Sequence, residues 1–577
     1  MGLSRVTSME IRRRAPNAGS IAAHLHPVLR RVYAARGIEH ESDLDLSLER
    51  LLPVGSLAGL DAAAQLLAEH RSAGRVLIIG DFDADGATST ALVVRALRAL
   101  DFAHVDFLVP DRFRFGYGLT PEIVALAATR TPSLIVTVDN GVSSVAGVEA
   151  ARAIGIPVLV TDHHLPGAVL PRAAVIVNPN LTDSRFGSRA LAGVGVAFYL
   201  VAALAKMLGQ SFKVAQLLDL VALGTVADVV PLDHNNRILV SQGIKRIRAG
   251  RCVAGIRALL EAAGRRPEQL TAADLGFAVA PRLNAAGRLT DMSVGIACLL
   301  ADQPDEAARL AGQLSALNEE RREIEQRMQL EARGLADALP YGDATESLGV
   351  CLFEDSWHQG VVGLVAGRIK DRLHRPVIAF ARAEDGSLRG SARSVSGVNI
   401  RDALDSIATA QPGLIDKFGG HAMAAGLTLR EANLPAFKAA FAAEVAARAG
   451  RETLTGVIYS DGALSAEELC IETALALRGA GPWGQGFPEP VFDGQFQVVD
   501  ARIVGGKHMK LMLDAGQSRG EPIDAIAFGH LSGPCADVSL RSGALIQLAY
   551  RLEVNEFRGT ERVQLNCQHL KAGEPMC

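Results

Sequence analysis

The chain has 577 residues, of which 49% are hydrophobic and 5% aromatic, and at roughly 150 residues per domain this length predicts about four domains. No apolar run approaches the ~18 residues of a membrane-spanning helix, and the N-terminus carries no hydrophobic secretory segment, so we expect a cytoplasmic protein with no membrane association. The seven cysteines include no CxxC pair, which argues against a disulfide framework, and the net charge of −4 does not by itself indicate a nucleic-acid-binding protein.

Residues 75–180 alternate between short apolar runs and longer segments. Four runs are predicted as buried parallel strands: Val76–Gly80, Leu134–Val138, Pro157–Thr161 and Ala174–Val177. Three segments between them are predicted as helices: Thr88–Leu100, Pro121–Ala128 and Ser143–Ile154. This alternation predicts a doubly wound α/β sheet, whose ligands bind beyond the carboxyl ends of the strands.

The rest of the chain shows three further patterns. Apolar residues at helical spacing predict one long helix over Leu310–Leu335, either a connector between two lobes or an ordinary surface helix. A second, smaller α/β region follows at 349–450. In the tail, the alternating segments Leu552–Phe557 and Val563–Cys567 flank Arg558-Gly559-Thr560 and predict a hairpin within a small β-barrel of OB type.

The acidic motif Asp81-Phe82-Asp83-Ala84-Asp85-Gly86 directly follows the first predicted strand. Its three carboxylates are hard oxygen ligands that suit Mg²⁺ or Mn²⁺. The EF-hand calcium loop also begins with D-x-D-x-D-G, but it requires a glutamate at its twelfth position, which here is Leu92, and a preceding helix instead of a strand. A solvated turn is the other alternative for this motif taken alone.

Three further acidic or histidine groups follow apolar elements. Asp139 follows the second predicted strand within Asp-Asn-Gly, which is also a common turn sequence. Asp162-His163-His164 follows the third strand, and Asp228 follows a predicted helix. We expect all these groups to meet in one crevice, where two divalent ions ~4 Å apart would activate a water for attack on phosphorus. The excess of carboxylates favours Mn²⁺ or Mg²⁺ over zinc.

The acidic motifs occur in a fixed order, with DFDADG at 81–86, VTVDNG at 136–141, DHH at 162–164 and GTVADVVPL at 224–232. In this order they resemble the DHH phosphoesterase superfamily. Longer strings narrow the resemblance to the RecJ family: DRFRFGYGLT (111–120), LAGVGVAFYL (191–200), PRLNAAGRL (281–289), WHQGVVGLVAGRI (357–369), FGGHAMAAGL (418–427) and GPWGQGFPEPVFDG (481–494). The resemblance spans nearly the whole chain. One departure is Arg114-Phe115, where the family usually carries acidic residues.

The resemblance implies a role for each matched position. The implied metal ligands are Asp83, Asp85, Asp139, His163 and Asp228. Of these, Asp139 would bridge the two ions. Asp81 and Asp162 would support these ligands within the catalytic set, and His164 would face the scissile phosphate. The implied substrate-binding residues are Arg112, Arg282, Asn284, Ser391, Arg393, Gly420 and His421. The arginines and the serine would form a pocket for the 5′-terminal phosphate, and the GGH histidine would contact the phosphate backbone.

The resemblance also implies the architecture. We expect an N-terminal segment (1–50), a DHH catalytic domain on a parallel sheet (51–305), a connecting helix (306–340), a smaller α/β DHHA1 nucleic-acid-binding domain (341–450) and an OB-type β-barrel (455–575). The tail is expected to hold a strand by base stacking and lysine–phosphate contacts, with core packing as the role of at least half of its aromatic residues. These tail residues are Trp483, Phe487, Phe492, Phe496, Lys507, His508 and Lys510.

Members of this family are bacterial exonucleases, and the resemblance therefore implies hydrolysis of single-stranded DNA, 5′→3′, to 5′-mononucleotides in recombination and repair. It further implies a monomer, with single-strand-binding protein and a RecQ-type helicase as partners. Two alternatives are a DHH hydrolase of small phosphates, such as pyrophosphate or cyclic dinucleotides, and a non-catalytic DHH scaffold of a replication assembly. The β-rich tail favours the polymer over small phosphates, and the filled ligand positions argue against the scaffold.

Overall fold

The structure, a computed structural model, describes residues 9–15, 24–338, 348–506, 508–516, 522–529, 540–557 and 559–572. The chain divides into two units. Unit A comprises residues 38–320 and 480–489, and unit B comprises residues 1–37, 321–479 and 490–577. No single helix of the described residues is long and apolar enough to cross a membrane, although the bent pair Leu48–Ser56 and Leu60–Glu69 passes on length and composition.

The strands of the described residues, in chain order, are β1 (Met9–Arg13), β2 (Arg75–Gly80), β3 (His104–Leu108), β4 (Leu134–Val138), β5 (Val158–Thr161), β6 (Val175–Val177), β7 (Val350–Phe353), β8 (Val377–Arg382), β9 (Leu388–Arg393), β10 (Lys417–Gly420), β11 (Ala424–Leu429), β12 (Gly456–Ser460), β13 (Phe492–Val504), β14 (His508–Asp514), β15 (Ile523–Ala527), β16 (Leu545–Phe557) and β17 (Thr560–Ala572).

The α-helices of the same residues are α1 (Pro27–Ala34), α2 (Leu60–Glu69), α3 (Ala84–Ala99), α4 (Pro121–Ala128), α5 (Val145–Ala153), α6 (Gly193–Met207), α7 (Leu218–Ala227), α8 (His234–Arg248), α9 (Ala254–Ala262), α10 (Ala272–Asp274), α11 (Ala280–Leu289), α12 (Ser293–Leu300), α13 (Pro304–Asp337), α14 (Val362–Leu373), α15 (Ile400–Ala410), α16 (Leu434–Arg448) and α17 (Ile471–Gly479). A π-helical turn, Leu275–Val279, directly precedes α11.

Unit A contains a five-stranded sheet in the order β3-β2-β4-β5-β6, and every neighbouring pair is parallel. The predicted parallel α/β sheet is therefore confirmed. The central strands are apolar runs that are buried on both faces, as expected when helices cover a parallel sheet. The edge strand β3 was not predicted, because its polar residues His104 and Asp106 interrupt the apolar pattern that marks the central strands.

Helix α3 begins at Ala84, four residues before the predicted start at Thr88. The reason is a cap: the carboxylate of Asp83 accepts hydrogen bonds from the amides of Asp85 and Gly86, which would otherwise lack partners at the helix start. The second half of the acidic motif, Ala84–Gly86, is thus the first turn of a helix, with Asp83 as its N-cap. The long helix α13 is confirmed and extends beyond both predicted ends.

Unit B contains a five-stranded sheet and a closed barrel. The sheet order is β10-β11-β9-β8-β7, in which β7 and β8 are parallel and the other pairs antiparallel. The barrel order is β13-β14-β15-β17-β16, which confirms the predicted OB-type barrel. The hairpin β16–β17 is longer than predicted, and Arg558 of its turn lies outside the described residues. An unpredicted parallel pair joins β1 to β12.

Candidate metal centre and phosphate-binding residues

Carboxylates and imidazoles converge beyond the carboxyl ends of β2, β4 and β5 in unit A. Three overlapping groups of possible ligand atoms each lie within 4.8 Å of one another: Asp81, Asp83 and Asp139; Asp139, His163 and His164; and Asp85, His163 and Asp228. Asp139 and His163 each belong to two groups. Asp85 and Asp228, which are far apart in sequence, lie in the same group, as the expectation of a single crevice requires.

Asp85 is held by the start of α6. The amide of Gly193 donates to its Oδ2 at 2.7 Å, and the amide of Val194 donates to its Oδ1 at 3.0 Å. Burial, and then the charge of Asp228, raise the pKa of the Asp85 carboxyl well above its usual range. The side chain is therefore fixed in orientation, while its charge in the metal-free protein remains energetically unfavourable.

Asp139 occupies a left-handed backbone conformation, with φ of 62°, which is uncommon for a residue with a Cβ. Its amide donates to Thr161 O at 3.0 Å, and the Tyr117 hydroxyl donates to its carbonyl at 3.1 Å. This backbone brings Oδ1 to 3.2 Å from Nε2 of His163. Burial, followed by the charge of Asp85, raises the pKa of Asp139 well above its usual range.

Asp162 organises the histidines that follow it. Its Oδ1 accepts from the amides of His163 and His164 and lies 2.8 Å from Nδ1 of His164, while its Oδ2 accepts from the amide of Val142. Burial opposes ionisation of Asp162, but these contacts outweigh it and lower its pKa. Burial also opposes ionisation of His164, which lowers its pKa. The contact with Asp162 outweighs this effect and raises the pKa of His164 to about 9. Asp162 thus supports its neighbours and has no carboxylate oxygen left without a partner.

Asp228 follows the last residue of α7, and its amide donates to Gly224 O at 2.9 Å. Its Oδ2 lies 3.4 Å from Nε2 of His163. Burial, with the charge of Asp83 second, raises the pKa of Asp228 to about 7. Position 224 must be glycine, because a Cβ there would lie 2.7 Å from Oδ1 of Asp85.

The cluster fits divalent cations. Asp81 Oδ1, Asp139 Oδ1 and Asp228 Oδ2 are buried and have no hydrogen-bond partner among the described residues. Buried carboxylate oxygens of this kind are costly unless a proton or a cation compensates them, and hard oxygen donors suit Mg²⁺ and Mn²⁺. The open oxygen of Asp81, to which the resemblance gave a supporting role, makes this residue a candidate ligand as well.

Arg112 lies beside the acidic motif. Its guanidinium stands 4.6 Å from the ring centroid of Phe82, and burial lowers its pKa against the opposing effect of Asp81 and Asp83. A cation in this position can attract phosphate toward the carboxylates. At the departure from the family pattern, the Arg114 guanidinium lies 5.1 Å from the ring centroid of Phe115, so these two residues contact each other.

The two predicted substrate-binding residues of α11, Arg282 and Asn284, make different contacts. Asn284 Oδ1 accepts from the amide of Ala84 at 2.8 Å, which ties α11 to the first turn of α3. The Arg282 guanidinium donates to Ser315 Oγ at 3.0 Å and to the carbonyls of Ala278 and Ala262. In this structure Arg282 therefore makes contacts within unit A that fix its own position.

In unit B, Ser391 and Arg393 lie on one face of β9, where Arg393 Nη1 donates to Ser391 Oγ at 3.2 Å. A Cβ at Gly363, in the first turn of α14, would lie 2.8 Å from Ser391 Oγ and 3.0 Å from Arg393 Nη2. The serine and the arginine thus lie against a helix N-terminus, an arrangement that favours anions.

The GGH loop of unit B is exposed. Gly420 ends β10 with φ of 141°, and a Cβ there would lie 2.5 Å from Ala424 O, so no other residue fits. His421 follows it, and its amide donates to Ala424 O at 2.8 Å. The backbone of the loop is closed by this contact, and the loop presents the histidine at the surface of unit B.

Family comparisons agree with this arrangement. The DHH family N-terminal domain matches residues 75–225, the DHHA1 domain matches 346–447 and the RecJ OB domain matches 460–569. The single-stranded-DNA-specific exonuclease RecJ of Escherichia coli (strain K12) is 52% identical over 565 residues, which cover 96% of this chain and 97% of the relative. The chain belongs to the RecJ family.

RecJ relatives of known structure contain metal. The crystal structure of RecJ in complex with Mn²⁺ from Thermus thermophilus matches with a TM-score of 0.79 at 33% identity, covering 96% of this chain and 77% of that one. The corresponding Mg²⁺ complex matches with a TM-score of 0.74 at 32% identity, covering 95% and 75%. The RecJ of Haemophilus influenzae is 48% identical, covering 97% of this chain and 98% of the relative. This RecJ-family chain is thus a hydrolase whose cluster fits Mn²⁺ or Mg²⁺.

The expected core packing for at least half of the tail aromatic residues is confirmed. Phe492 and Phe496 are 0% and 3% exposed and contact Tyr550 inside the barrel, so their role is core packing. Trp483 and Phe487 stack on each other within unit A. Of the remaining residues, His508 contacts the amide of Gly529, Lys510 pairs with Asp524, and Lys507 lies outside the described residues.

Sequence reasoning assigned no role to Tyr117 or to Gly193 and Val194. The Tyr117 hydroxyl also lies 3.1 Å from Nδ1 of His164, which connects two halves of the cluster. Both features fall within strings quoted for the RecJ resemblance, DRFRFGYGLT and LAGVGVAFYL, and the paired glycines of the second string were the available signal. A glycine at a helix start permits close backbone approach to a carboxylate.

Proposed function

We propose that this chain degrades single-stranded DNA in the 5′→3′ direction to 5′-mononucleotides by two-metal catalysis, in recombination and repair in the cytoplasm. The observation that carries the proposal is the overlap of the three ligand groups, which share Asp139 and His163. An overlap of this kind suits two adjacent cations with Asp139 as the bridging ligand. Membership of the RecJ family supports single-stranded DNA as the substrate.

The chain's own residues prepare the site for phosphodiester cleavage. When bound, the cations would supply an activated water and would stabilise negative charge at phosphorus. Asp83, Asp85, Asp139, His163 and Asp228 would hold them, with the Asp85 carboxylate oriented by two helix amides. A site whose ligands are fixed in advance reorganises little during the reaction.

His164 would contact the scissile phosphate. Its Nδ1 is 2.8 Å from Asp162 Oδ1, and this contact orients the ring, so that Nε2 would contact the substrate. From there it would donate a proton or a hydrogen bond to the leaving 3′-oxygen. Tyr117 would keep the ring in place through its hydroxyl.

Each unit contains residues whose charge or position suits phosphate binding. In unit A, Arg112 stands beside Asp81 and Asp83; in unit B, Ser391 and Arg393 lie at the start of α14. From the family resemblance, we propose that Arg112, Arg282, Ser391 and Arg393 each contact the 5′-terminal phosphate, and that Asn284 is a further substrate-binding residue. His421 and Gly420 would contact the sugar–phosphate chain, because glycine allows its backbone close approach.

The family resemblance further supports a monomer that acts with single-strand-binding protein and a RecQ-type helicase. These partners are consistent with the chemistry, because a helicase would supply the single strands that the nuclease consumes. Direct binding would be tested by passing each purified partner over the immobilised chain.

The experiment that tests the activity compares substrates and labels. Single strands labelled at the 5′ or the 3′ end, duplex DNA, pyrophosphate and a cyclic dinucleotide are each incubated with the protein and Mn²⁺. We expect early release of 5′-labelled mononucleotide from single strands, no release in the presence of chelator, and little hydrolysis of the other substrates. Preferential hydrolysis of a small phosphate, or release of the 3′ label first, would contradict the proposal.

A further inference from the structure

The motif GPWGQGF belongs to a segment, residues 480–489, that folds with unit A. Residues 482–487, here termed the clip, form a tight turn in which Gly484 and Phe487 exchange backbone hydrogen bonds of 2.9 and 3.2 Å. Trp483 stacks on Phe487 with ring centroids 5.2 Å apart and an interplanar angle of 13°. The Arg237 guanidinium lies 4.4 Å from the Phe487 ring centroid, and both residues are buried.

The clip contacts the segment between α7 and α8. The amide of Leu232 donates to Gln485 O at 2.7 Å. A Cβ at Gly484 would lie 2.7 Å from Leu232 Cδ1, and a Cβ at Gly486 would lie 3.2 Å from Pro231 Cβ. Both glycines therefore let the clip approach Pro231 and Leu232 closely.

Asp228 lies three residues before Pro231 and depends on its backbone for its position. The carboxylate of Asp85 is held by two amides, whereas Oδ2 of Asp228 makes no hydrogen bond with the described residues and only approaches His163. The amide of Asp228 is fixed to Gly224 at the end of α7. The chain on its C-terminal side must supply the second restraint.

Two sets of contacts supply this second restraint. Asn236 Nδ2 donates to the carbonyls of Pro231 at 2.9 Å and Ala190 at 2.7 Å, which fixes the segment from the unit A core. The clip fixes the same segment through Leu232 from the other side. The segment that follows Asp228 is thus held between the core and the clip.

We propose that the clip is a positioning element that fixes Asp228 for metal binding, with Gly486 and Phe487 as its positioning residues. The inference rests on the proposed function only in taking Asp228 as a metal ligand. Groups that hold a metal ligand from outside typically contribute 10–100-fold to metal affinity or activity. Loss of the clip contact should therefore weaken metal binding and turnover without changing the affinity for DNA.

The sharpest test compares Gly486→Ala with Gly155→Ala in the full chain. Both glycines are left-handed, with φ of 71° and 75°, so alanine introduces similar backbone strain at each. Only the Gly486 Cβ meets Pro231, since a Cβ at Gly155 would have nothing within 4 Å. Isothermal titration with Mn²⁺ should show about 10-fold weaker binding for Gly486→Ala than for Gly155→Ala, and kcat on single-stranded DNA should fall with KM unchanged.

A second pair removes the aromatic stack and keeps the proposal testable if Gly486→Ala folds poorly. Phe487→Leu should weaken Mn²⁺ binding, Phe487→Tyr should restore it, and Phe102→Leu should leave it unchanged. Phe102 is a comparably buried phenylalanine of unit A that lies beyond the far end of α3.

The outcomes separate this inference from the proposed function. Equal Mn²⁺ affinities for Gly486→Ala and Gly155→Ala, or for Phe487→Leu and the parent protein, would overturn the clip's role. If the parent protein binds Mn²⁺ but digests no DNA, and Gly486→Ala still weakens Mn²⁺ binding, the nuclease proposal fails and the clip's role stands. If the parent protein binds no Mn²⁺, the role of Asp228 and that of the clip fail together.

Discussion

The amide of Gly193 donates a 2.7 Å hydrogen bond to Oδ2 of Asp85, and a Cβ on the same residue would lie 2.5 Å from Oδ1 of Asp139. Gly193 therefore contacts two candidate ligands at once, one through its backbone and the other through its lack of a side chain. The start of α6 determines how closely these two carboxylates approach each other.

Gly193→Ala should displace Asp139 while it preserves the amide that binds Asp85. We expect Mn²⁺ affinity and exonuclease turnover to fall on the order of 10–100-fold, as measured by titration calorimetry and strand digestion. The matched variant is Gly312→Ala in α13, where a Cβ would have nothing within 4 Å. It should leave both quantities unchanged, and parent-like Mn²⁺ binding by Gly193→Ala would show that the contact with Asp139 is unimportant.

The metal-free protein should be less stable at pH 8 than at pH 5.5, and bound metal should therefore stabilise it more at the higher pH. In the metal-free protein, burial and neighbouring carboxylates raise the pKa of Asp85 and Asp139 well above normal and that of Asp228 to about 7. Raised carboxyl pKa values favour folding below the unfolded value of about 4 and lose this contribution as pH rises through the folded value. Chelator-treated protein should therefore melt at a lower temperature at pH 8 than at pH 5.5, other groups being equal.

Mn²⁺ replaces protons at these carboxylates, so its effect has the opposite trend. At 100 times its Kd, it should add about 2.7 kcal/mol to the free energy of unfolding. Differential scanning fluorimetry with a fixed Mn²⁺ concentration should give a larger increase in melting temperature at pH 8 than at pH 5.5. An increase of the same size at both pH values would contradict the assignment of buried carboxylates as ligands.

Tyr117→Phe should reduce kcat, whereas it should lower the free energy of unfolding only slightly. Its hydroxyl contacts Asp139 O and Nδ1 of His164, both at 3.1 Å. The comparison variant is Tyr199→Phe, because the Tyr199 hydroxyl also makes two 3.1 Å contacts, with Leu52 O and Asn235 Oδ1. Each change should cost about 0.5–1.5 kcal/mol of stability, but only Tyr117→Phe should reduce kcat, by roughly 10-fold. Equal kcat values for the two variants would remove Tyr117 from the site.

Arg393→Ala should affect strands that carry a 5′-phosphate more than strands that end in a 5′-hydroxyl. The guanidinium lies with Ser391 at the start of α14, where an anion is favoured. We expect KM to rise about 10-fold or more for the phosphorylated strand, in line with 1.5–3 kcal/mol for a charge-assisted hydrogen bond. Arg401→Ala, at an exposed arginine of the same unit, serves as the control, and an equal rise for both strands would exclude Arg393 from the phosphate pocket.

The parallel sheet and most of the cluster of carboxylates and histidines were predictable, because burial on both faces leaves continuous apolar strands and three of the four acidic motifs directly follow one, while Asp228 follows helix α7. The edge strand β3 (His104–Leu108) was not predictable, because half-exposed strands of this kind carry polar residues. Sequence patterns do not say which of the tail aromatic residues are buried: Phe492 and Phe496 share one face of β13, as base-stacking residues would, and they pack in the barrel. The pairing of β1 with β12 joins segments over 440 residues apart, which local patterns do not encode.

If Asp139 belongs to both cation sites, as we propose, Asp139→Ala should disrupt both of them. Mn²⁺ stoichiometry, binding of a labelled single strand and digestion of that strand are measured on the same preparation. We expect weaker or fewer bound Mn²⁺ ions, strand binding that remains measurable, and digestion reduced to background. Normal digestion by a pure Asp139→Ala sample, with the parent Mn²⁺ stoichiometry, would contradict this proposal.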